Sequence, residues 1–168
     1  TGTAANIATV VATEADSGSN KINLDTDFTA TVDAGSVAAA DLNTISGKTA
    51  GTVTATAATA ITGTATAVAA VVADGQISVD GDYNVGLTGA AAAADIIAID
   101  ADTSGHITAS GVTALTGTAA NVATVVATDG AGANKISLDG DYTVTLTGSA
   151  AAADIIAIDA DTSGHITA

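Results

Sequence analysis

Aspartate, serine and glycine recur in this chain at spacings that suit oxygen-ligated cations. Asp100, Asp102 and Ser104, followed directly by Gly105, match the first half of a calcium loop, which has oxygen ligands at positions 1, 3 and 5 and glycine at 6. The same ligand set returns at Asp159, Asp161 and Ser163. At position 12, where such a loop needs a bidentate Glu, the chain has Gly111. The pattern therefore predicts either a calcium site or a glycine-centred turn.

A second acidic pattern is Asp-Gly-Asp. It occurs at Asp80 and Asp82 and again at Asp139 and Asp141. A cation could bridge each pair, yet aspartate and glycine are also ordinary turn residues. We favour the turn interpretation at both patterns, and calcium is the one cofactor that the residues suggest.

Histidine and serine offer little for catalysis. His106 and His165 occupy the same position of two sequence copies, with no second His or Cys nearby in sequence, so we expect them on an exposed strand. A serine nucleophile needs a supporting base and acid in one unique site, and a repeated sequence offers nothing unique. We therefore expect no enzymatic activity.

Threonines alternate along several predicted strands. Three sets, Thr29 and Thr31, then Thr52, Thr54 and Thr56, then Thr143 and Thr145, would each project from one face of a strand. Regular threonine arrays resemble those of ice-binding proteins, although threonine is also a common exposed-strand residue. Ice binding is therefore an alternative function.

Composition excludes some partners. The net charge is −15, which leaves no basic surface for nucleic acid or for anionic membranes. No run of 18 apolar residues is present, so we expect no membrane insertion. Cys, Met, Trp and Pro are absent, and a core without large aromatics must be built from Ala, Val, Ile and Leu.

An internal repeat dominates the sequence. Residues 92–109 recur unchanged at 151–168, and residues 38–55 are a diverged copy. Asp41, Asp95 and Asp154 mark one position at spacings of 54 and 59 residues. Two kinds of unit alternate within each long repeat. We call units that begin with Thr-Gly-Thr A repeats, and units that contain Ala-Ala-Ala-Asp B repeats.

Each unit predicts one short helix. The A repeats carry an apolar stripe at i, i+3 and i+4, for example Val122, Val125 and Val126. In the B repeats the stripe is shorter, for example Ile96 and Ile99. Residues at the expected N-cap position, after a glycine and before an Ala-rich run, are Thr3, Ser36, Thr64, Thr118 and Ser149.

Each helix is followed by alternating apolar and polar residues, broken at Asp-Gly or Ser-Gly. This pattern predicts one or two short strands per unit, stacking in parallel on the next unit. We predict an α/β repeat solenoid of six coils of about 26–32 residues, within one domain over 1–168. The three double repeats are roughly 1–60, 61–114 and 115–168. No polar terminal repeat is evident, so we expect a segment of a longer chain or filament that associates end to end.

The runs LTGTAANVATVVA at 115–127 and AAADLNTISGKTAGTVTA at 38–55 resemble repeat tracts of very large secreted or cell-surface proteins of bacteria, cyanobacteria in particular. The resemblance covers nearly the whole chain and implies an extracellular structural or adhesive protein without a defined activity. A structural surface solenoid is thus our first functional hypothesis. A calcium-dependent binding module and an ice-binding protein are the alternatives.

Overall fold

The structure, a computed structural model, describes residues 1–13, 22–130 and 136–168. Within them every long repeat contributes two short helices, one from each kind of unit. The helices are α1 (Ala4–Thr13), α2 (Ala39–Ser46), α3 (Ala65–Ala73), α4 (Ala93–Asp102), α5 (Ala119–Ala127) and α6 (Ala152–Asp161). The A repeats supply α1, α3 and α5, and the B repeats supply α2, α4 and α6.

Short strands separate the helices. They are β1 (Ala30–Thr31), β2 (Gly35–Ala38), β3 (Val53–Thr54), β4 (Ala58–Gly63), β5 (Ile77–Ser78), β6 (Asn84–Ala92), β7 (Ile107–Gly117), β8 (Ile136–Leu138), β9 (Thr143–Leu146) and β10 (Ile166–Thr167). All pairings between these strands are parallel, which confirms the predicted α/β class.

The strands form two open sheets. One has the order β1-β3-β5, and the other has the order β10-β9-β7-β6-β4-β2, with β8 also paired to β7. In both sheets the spatial order follows the chain order, because each strand pairs with the equivalent strand of the next unit. A helix lies in the connection between successive strands of the large sheet, as parallel pairing requires.

Register aligns apolar residues into columns across the large sheet. Ile61 lies opposite Val85, Val85 opposite Ile107, and Ile107 opposite Ile136. All four side chains are buried, while alternate residues such as Thr62 and Thr108 are exposed. The period of two therefore turns one face of each strand toward the helices.

Consecutive helices pack against one another in chain order, from α1 to α6. Their apolar stripes point at the sheet: Val68, Val71, Val122 and Val125 are at most 1% exposed. The predicted stripe of the A repeats is thus confirmed in α3 and α5. Alanine fills the remaining contacts, and small side chains allow helices to approach at the short end of the usual 8–10 Å range.

The predicted N-caps are confirmed in the A repeats and wrong in the B repeats. Thr64 and Thr118 accept from the backbone N–H of Ala67 and Asn121, and Thr3 accepts from Asn6. Ser36 lies inside β2, and α2 is preceded by Ala38 without a side-chain cap. Ser149 likewise lies two residues before Ala151, which precedes α6. The B repeats have two more residues between the glycine and the stripe, so their helices begin later.

The predicted break in the strand region of each unit takes two forms. After α4 the chain forms a single strand, β7, and the expected break at Ser110 and Gly111 is a shift of register against β6. Elsewhere a turn separates two strands, as at Gly81 and Asp82 between β5 and β6. One cluster of buried side chains runs from Ala4 to Ile158. No described helix has the length and apolar character needed to cross a membrane.

Candidate functional site

The two acidic patterns singled out from the sequence lie side by side. Residues 80–84, which contain Asp-Gly-Asp, contact residues 102–106 of the following unit, and we call these two segments the first corner. The backbone N–H of Ser104 donates to the carbonyl of Gly81 at 2.8 Å, and the Tyr83 hydroxyl donates to Asp102 Oδ2 at 2.7 Å. The structure therefore joins what the sequence presented as two candidate sites into one.

Thr103 is the buried polar residue of the first corner, at 2% exposure. Its hydroxyl donates to the carbonyl of Tyr83 at 2.5 Å and accepts from the N–H of Gly105 at 3.0 Å. One side chain thus satisfies two backbone groups that lie in adjacent units. Buried backbone groups left without a partner are costly, so this hydroxyl stabilises the stacking of the two units.

Gly105 marks the closest approach of the two segments. A Cβ at this position would overlap the carbonyl oxygen of Tyr83 and would lie 2.5 Å from its carbonyl carbon. Glycine is therefore required by the closeness of the neighbouring backbone. The calcium-loop pattern has glycine at the same place for another reason, a sharp turn around the ion.

Tyr83 is buried and carries its hydroxyl to the rim of the corner. The ring is 1% exposed and fills the core where the strand meets the turn. Burial, together with the hydrogen bond to Asp102, raises the pKa of the Tyr83 hydroxyl far above its ordinary value. The phenol is therefore a neutral hydrogen-bond donor and could not serve as a base near neutral pH.

The same arrangement recurs at residues 139–143 and 161–165, which we call the second corner. Tyr142 donates to Asp161, Thr162 donates to the Tyr142 carbonyl at 2.6 Å, and the N–H of Ser163 donates to Gly140 at 2.8 Å. Burial raises the pKa of the Asp161 carboxyl, the hydrogen bond from Tyr142 opposes that shift, and the charge of Asp129 adds to it.

The diverged first copy keeps the backbone contacts and the carboxylates of Asp25 and Asp27 but lacks the Tyr–Asp pair. Thr49 donates to the carbonyl of Phe28 at 2.5 Å and accepts from Gly51, and the N–H of Ala50 donates to Thr26 at 2.8 Å. Lys48 stands where the other corners have Asp102 and Asp161. The contacts present in all three copies are therefore those of Thr-x-Gly and those of Asp25, Asp80 and Asp139 with the next backbone N–H. The Tyr–Asp hydrogen bond is an addition found in two copies.

This comparison identifies the residue that the sequence reasoning missed. Thr49, Thr103 and Thr162 were not candidate site residues, although Thr-x-Gly is the part of the pattern present in every copy. The sequence itself indicates this role. A residue that stays the same in every copy while its charged neighbours change is expected to hold the backbone of the turn in place. Asn84 was missed as well, and its Oδ1 accepts from the N–H of His106 at 2.9 Å.

The remaining predicted ligands lie around the two corners. Asp80 and Asp139 are exposed and each accepts from the next N–H, at 3.1 Å. Asp82, Asp141 and Asp159 are exposed, and Asp100 is half-buried in α4. The hydroxyls of Ser104 and Ser163 donate to Gly81 and Gly140 at 3.0 and 2.9 Å.

Metal binding at the corners stays a prediction. Within residues 1–13, 22–130 and 136–168, no three His, Cys, Asp or Glu side chains are grouped closely enough to hold a metal ion. A calcium ion bound by Asp102 would compete with the Tyr83 hydroxyl for the same carboxylate. His106 and His165 are exposed beside these corners, and each lies directly before a strand.

The exposed face of the large sheet carries small polar residues. A shallow groove on it is lined by Thr62, Gly86, Thr108, Ser110 and Gly111, among others. Other residues interrupt the rows of threonines across the sheets: Thr62 lies beside Gly86, and Thr54 lies beside Ser78. A row of three joins Thr116, Thr145 and Thr167. Ice binding by such short rows stays a prediction.

Comparison of the chain with protein-family models, with curated proteins and with solved structures gave no match. The functional argument therefore depends on the geometry of the repeats and corners.

Proposed function

We propose that this chain is a repeat solenoid that acts through its extended shape, as a structural or adhesive component at the cell surface. The observation that carries the proposal is the strand order, which follows the chain order through both sheets. Each unit then contacts its sequence neighbours, as expected of a quasi-one-dimensional stack. Six coils of about 26–32 residues account for the six helices of the described residues.

The corners support a structural role. At each of three junctions a threonine hydroxyl links the backbone of one unit to that of the next, by the same pair of hydrogen bonds. Multiplying a contact along a stack strengthens the stack. Multiplying it offers no advantage to a catalytic site, which needs one set of residues in one place.

The extracellular location is proposed from composition and from the resemblance to surface-protein repeats. A charge of −15 keeps such a chain soluble where salt screens repulsion. Antibody labelling of intact source cells tests this part of the proposal. Labelling that requires permeabilised cells would contradict a surface location.

Duplication of one double repeat tests the architecture. A second copy of residues 62–115, inserted after Leu115, restores the Leu-Thr-Gly-Thr junction and keeps every unit in phase. We expect a folded, longer molecule by small-angle X-ray scattering, with greater resistance to urea, because a stack gains one more set of interfaces.

An out-of-phase insertion of residues 62–102 at the same point is the control. It adds similar composition but places B-repeat residues against the wrong neighbours, so we expect lower stability than in the native chain. If the in-phase duplication unfolded the protein or left its longest dimension unchanged, the solenoid proposal would be wrong.

A further inference from the structure

We propose that the outer face of α6 binds the outer face of α1 of a second copy, in the register that α4 and α5 adopt within one molecule. The inference rests on the proposed solenoid and names the partner of its ends. It follows from sequence identity between helices: α6 repeats α4 residue for residue, and α1 differs from α5 over the nine shared positions only by Ile7 in place of Val122. The molecule thus contains its own template for the contact.

The internal junctions identify which residues face the next helix. Asn43 of α2 donates its side-chain N–H to the carbonyl of Ala67 in α3, at 2.9 Å. The same position is Ile97 in α4 and Ile156 in α6. Ile97 is half-buried in α4, which is followed by α5, whereas Ile156 is 68% exposed. Ile156 therefore lies on the face where a following A-repeat helix would pack.

The opposite end shows the complementary feature. Val71 of α3 and Val125 of α5, which each have a preceding helix, are 1% and 0% exposed. Val10 holds this position in α1 and is 39% exposed. An apolar pocket beside it is lined by Ile7, Val10, Leu24 and Phe28, among other residues. Val10 therefore lies on a face that a preceding B repeat would cover.

The strands give the same register. Val53 lies opposite Ile77, and Ile107 lies opposite Ile136, at the two internal junctions from a B repeat to an A repeat. The next pair in this series would be Ile166 with Ile22 of the second copy. Ile77 and Ile136 are buried, whereas Ile22 is 38% exposed. Val10, Ile22 and Ile156 are the exposed large hydrophobic side chains of the described residues.

One carboxylate lies close to the proposed contact. Helix α1 contains no charged residue. In α4, Asp95 accepts from Thr66 of the preceding helix, so Asp154, at the same position of α6, lies on the side of α5. Asp159 lies three residues after Ile156, on the same side of α6, and is exposed, whereas its equivalent Asp100 is half-buried in α4. The outer face of α6 therefore carries Ile156 and one carboxylate, a combination that the junction of α4 with α5 already accommodates. A contact between different surfaces of identical copies does not close on itself, so the expected product is a linear filament.

Paired variants test the proposal with the 168-residue chain by analytical ultracentrifugation. We expect the native chain to form a concentration-dependent series of oligomers. Ile156→Asp and Val10→Asp should each weaken association on the order of ten- to a hundred-fold, because each places a charge in an apolar contact. An equimolar mixture should form dimers and no larger species, because each variant retains one intact end.

Matched controls lie next to each substitution. Ala157→Asp and Thr9→Asp add the same charge at positions whose equivalents, Ala98 and Thr124, stay exposed between two helices. We expect both controls to associate like the native chain, and all four variants to keep the native far-ultraviolet circular dichroism. If the two control variants also failed to associate, the added charge itself would be the cause, and the assigned faces would be wrong.

A native chain that stays monomeric at millimolar concentration would overturn the inference. Dimers of Val10→Asp alone that form as tightly as those of the native chain would also overturn it, because they would show that the contact does not involve α1. Neither result would affect the solenoid itself, since the duplication experiment measures the length and stability of a single copy.

Discussion

Thr49, Thr103 and Thr162 occupy one position in three successive corners, and each hydroxyl joins two backbone groups. Threonine suits this role because its hydroxyl can donate and accept at once. The hydrogen-bonded Tyr–Asp pair occurs in two of the corners, and in the remaining corner the same two positions are Phe28 and Lys48. At the residue scale, stability therefore depends on the buried threonine and on the glycine two residues after it.

Gly105→Ala tests the close backbone approach. The new Cβ would overlap the Tyr83 carbonyl, so the two units must separate, and we expect a loss of about 3 kcal/mol in the free energy of unfolding. The control is Gly81→Ala in the same corner, where a Cβ meets nothing within 4 Å and we expect a change within about 0.5 kcal/mol. Urea denaturation measures both. Equal losses would mean that the corner tolerates separation.

The Asp161 carboxyl predicts a pH dependence of stability. Its pKa is raised in the folded state by burial, so the folded protein binds a proton more readily than the unfolded chain does. Stability from this group is therefore present below the unfolded pKa and lost as the pH rises through the higher folded pKa. We expect the melting temperature to rise on acidification from neutral pH.

Asp161→Asn isolates this contribution from general charge repulsion. The amide keeps an oxygen that can accept from Tyr142 but does not titrate, so the rise in melting temperature on acidification should be smaller than in the native chain. The control is Asp159→Asn, which removes the same charge from an exposed position of α6. A native-like pH profile for Asp161→Asn would contradict the prediction.

At the scale of the elements, the helices and parallel strands were readable from the sequence because both periodicities are regular. The stripe of Val122, Val125 and Val126 and the alternation after it specify a helix and a strand with few competing interpretations. The start of the B-repeat helices was also available in principle. Ile155 follows Gly148 by seven residues, whereas Val122 follows Gly117 by five, so the two helices cannot start at equivalent distances from glycine.

The corner could not be predicted in the same way. Its hydrogen bonds join residues about 20 positions apart, such as Thr103 and Tyr83, and no local propensity encodes their approach. The calcium-loop pattern coincides with the corner because both need a glycine at position 105, where the neighbouring backbone approaches closely. The three internal copies separate Thr-x-Gly, which all of them share, from Asp102 and Asp161, which Lys48 replaces in the first copy.

Capping residues give a prediction that separates the two kinds of repeat. Thr118→Ala removes a side chain that accepts from the N–H of Asn121, and we expect a loss of about 1 kcal/mol in the free energy of unfolding. Ser149→Ala removes a hydroxyl that precedes α6 by three residues and does not cap it, so we expect a change within about 0.5 kcal/mol. Thermal denaturation of both variants checks the ranking. A larger loss for Ser149→Ala would mean that α6 starts where the sequence first indicated.

For the whole molecule, small side chains and high acidity are linked through the proposed stacking. Each unit contributes a thin layer of Val, Ile, Leu and Ala between one helix and its strands, and Tyr83 and Tyr142 are the fully buried aromatic side chains of the described residues. Such a stack has a large surface for its volume, and that surface carries most of the −15 charge. The apolar contacts between units therefore have to outweigh the repulsion between their carboxylates, and salt reduces that repulsion.

This balance predicts that salt stabilises the protein. Between 0.01 and 1 M NaCl the screening length falls from about 30 Å to about 3 Å, so repulsion between carboxylates of different units disappears while the apolar contacts remain. We expect the melting temperature to rise across this range.

Calcium chloride at equal ionic strength is the informative comparison. Because Asp102 is hydrogen-bonded to Tyr83 and Ser104 is hydrogen-bonded to Gly81, we expect calcium to raise the melting temperature no further than NaCl does. A further rise that a chelator reverses and Asp102→Asn abolishes would instead establish calcium binding at the first corner.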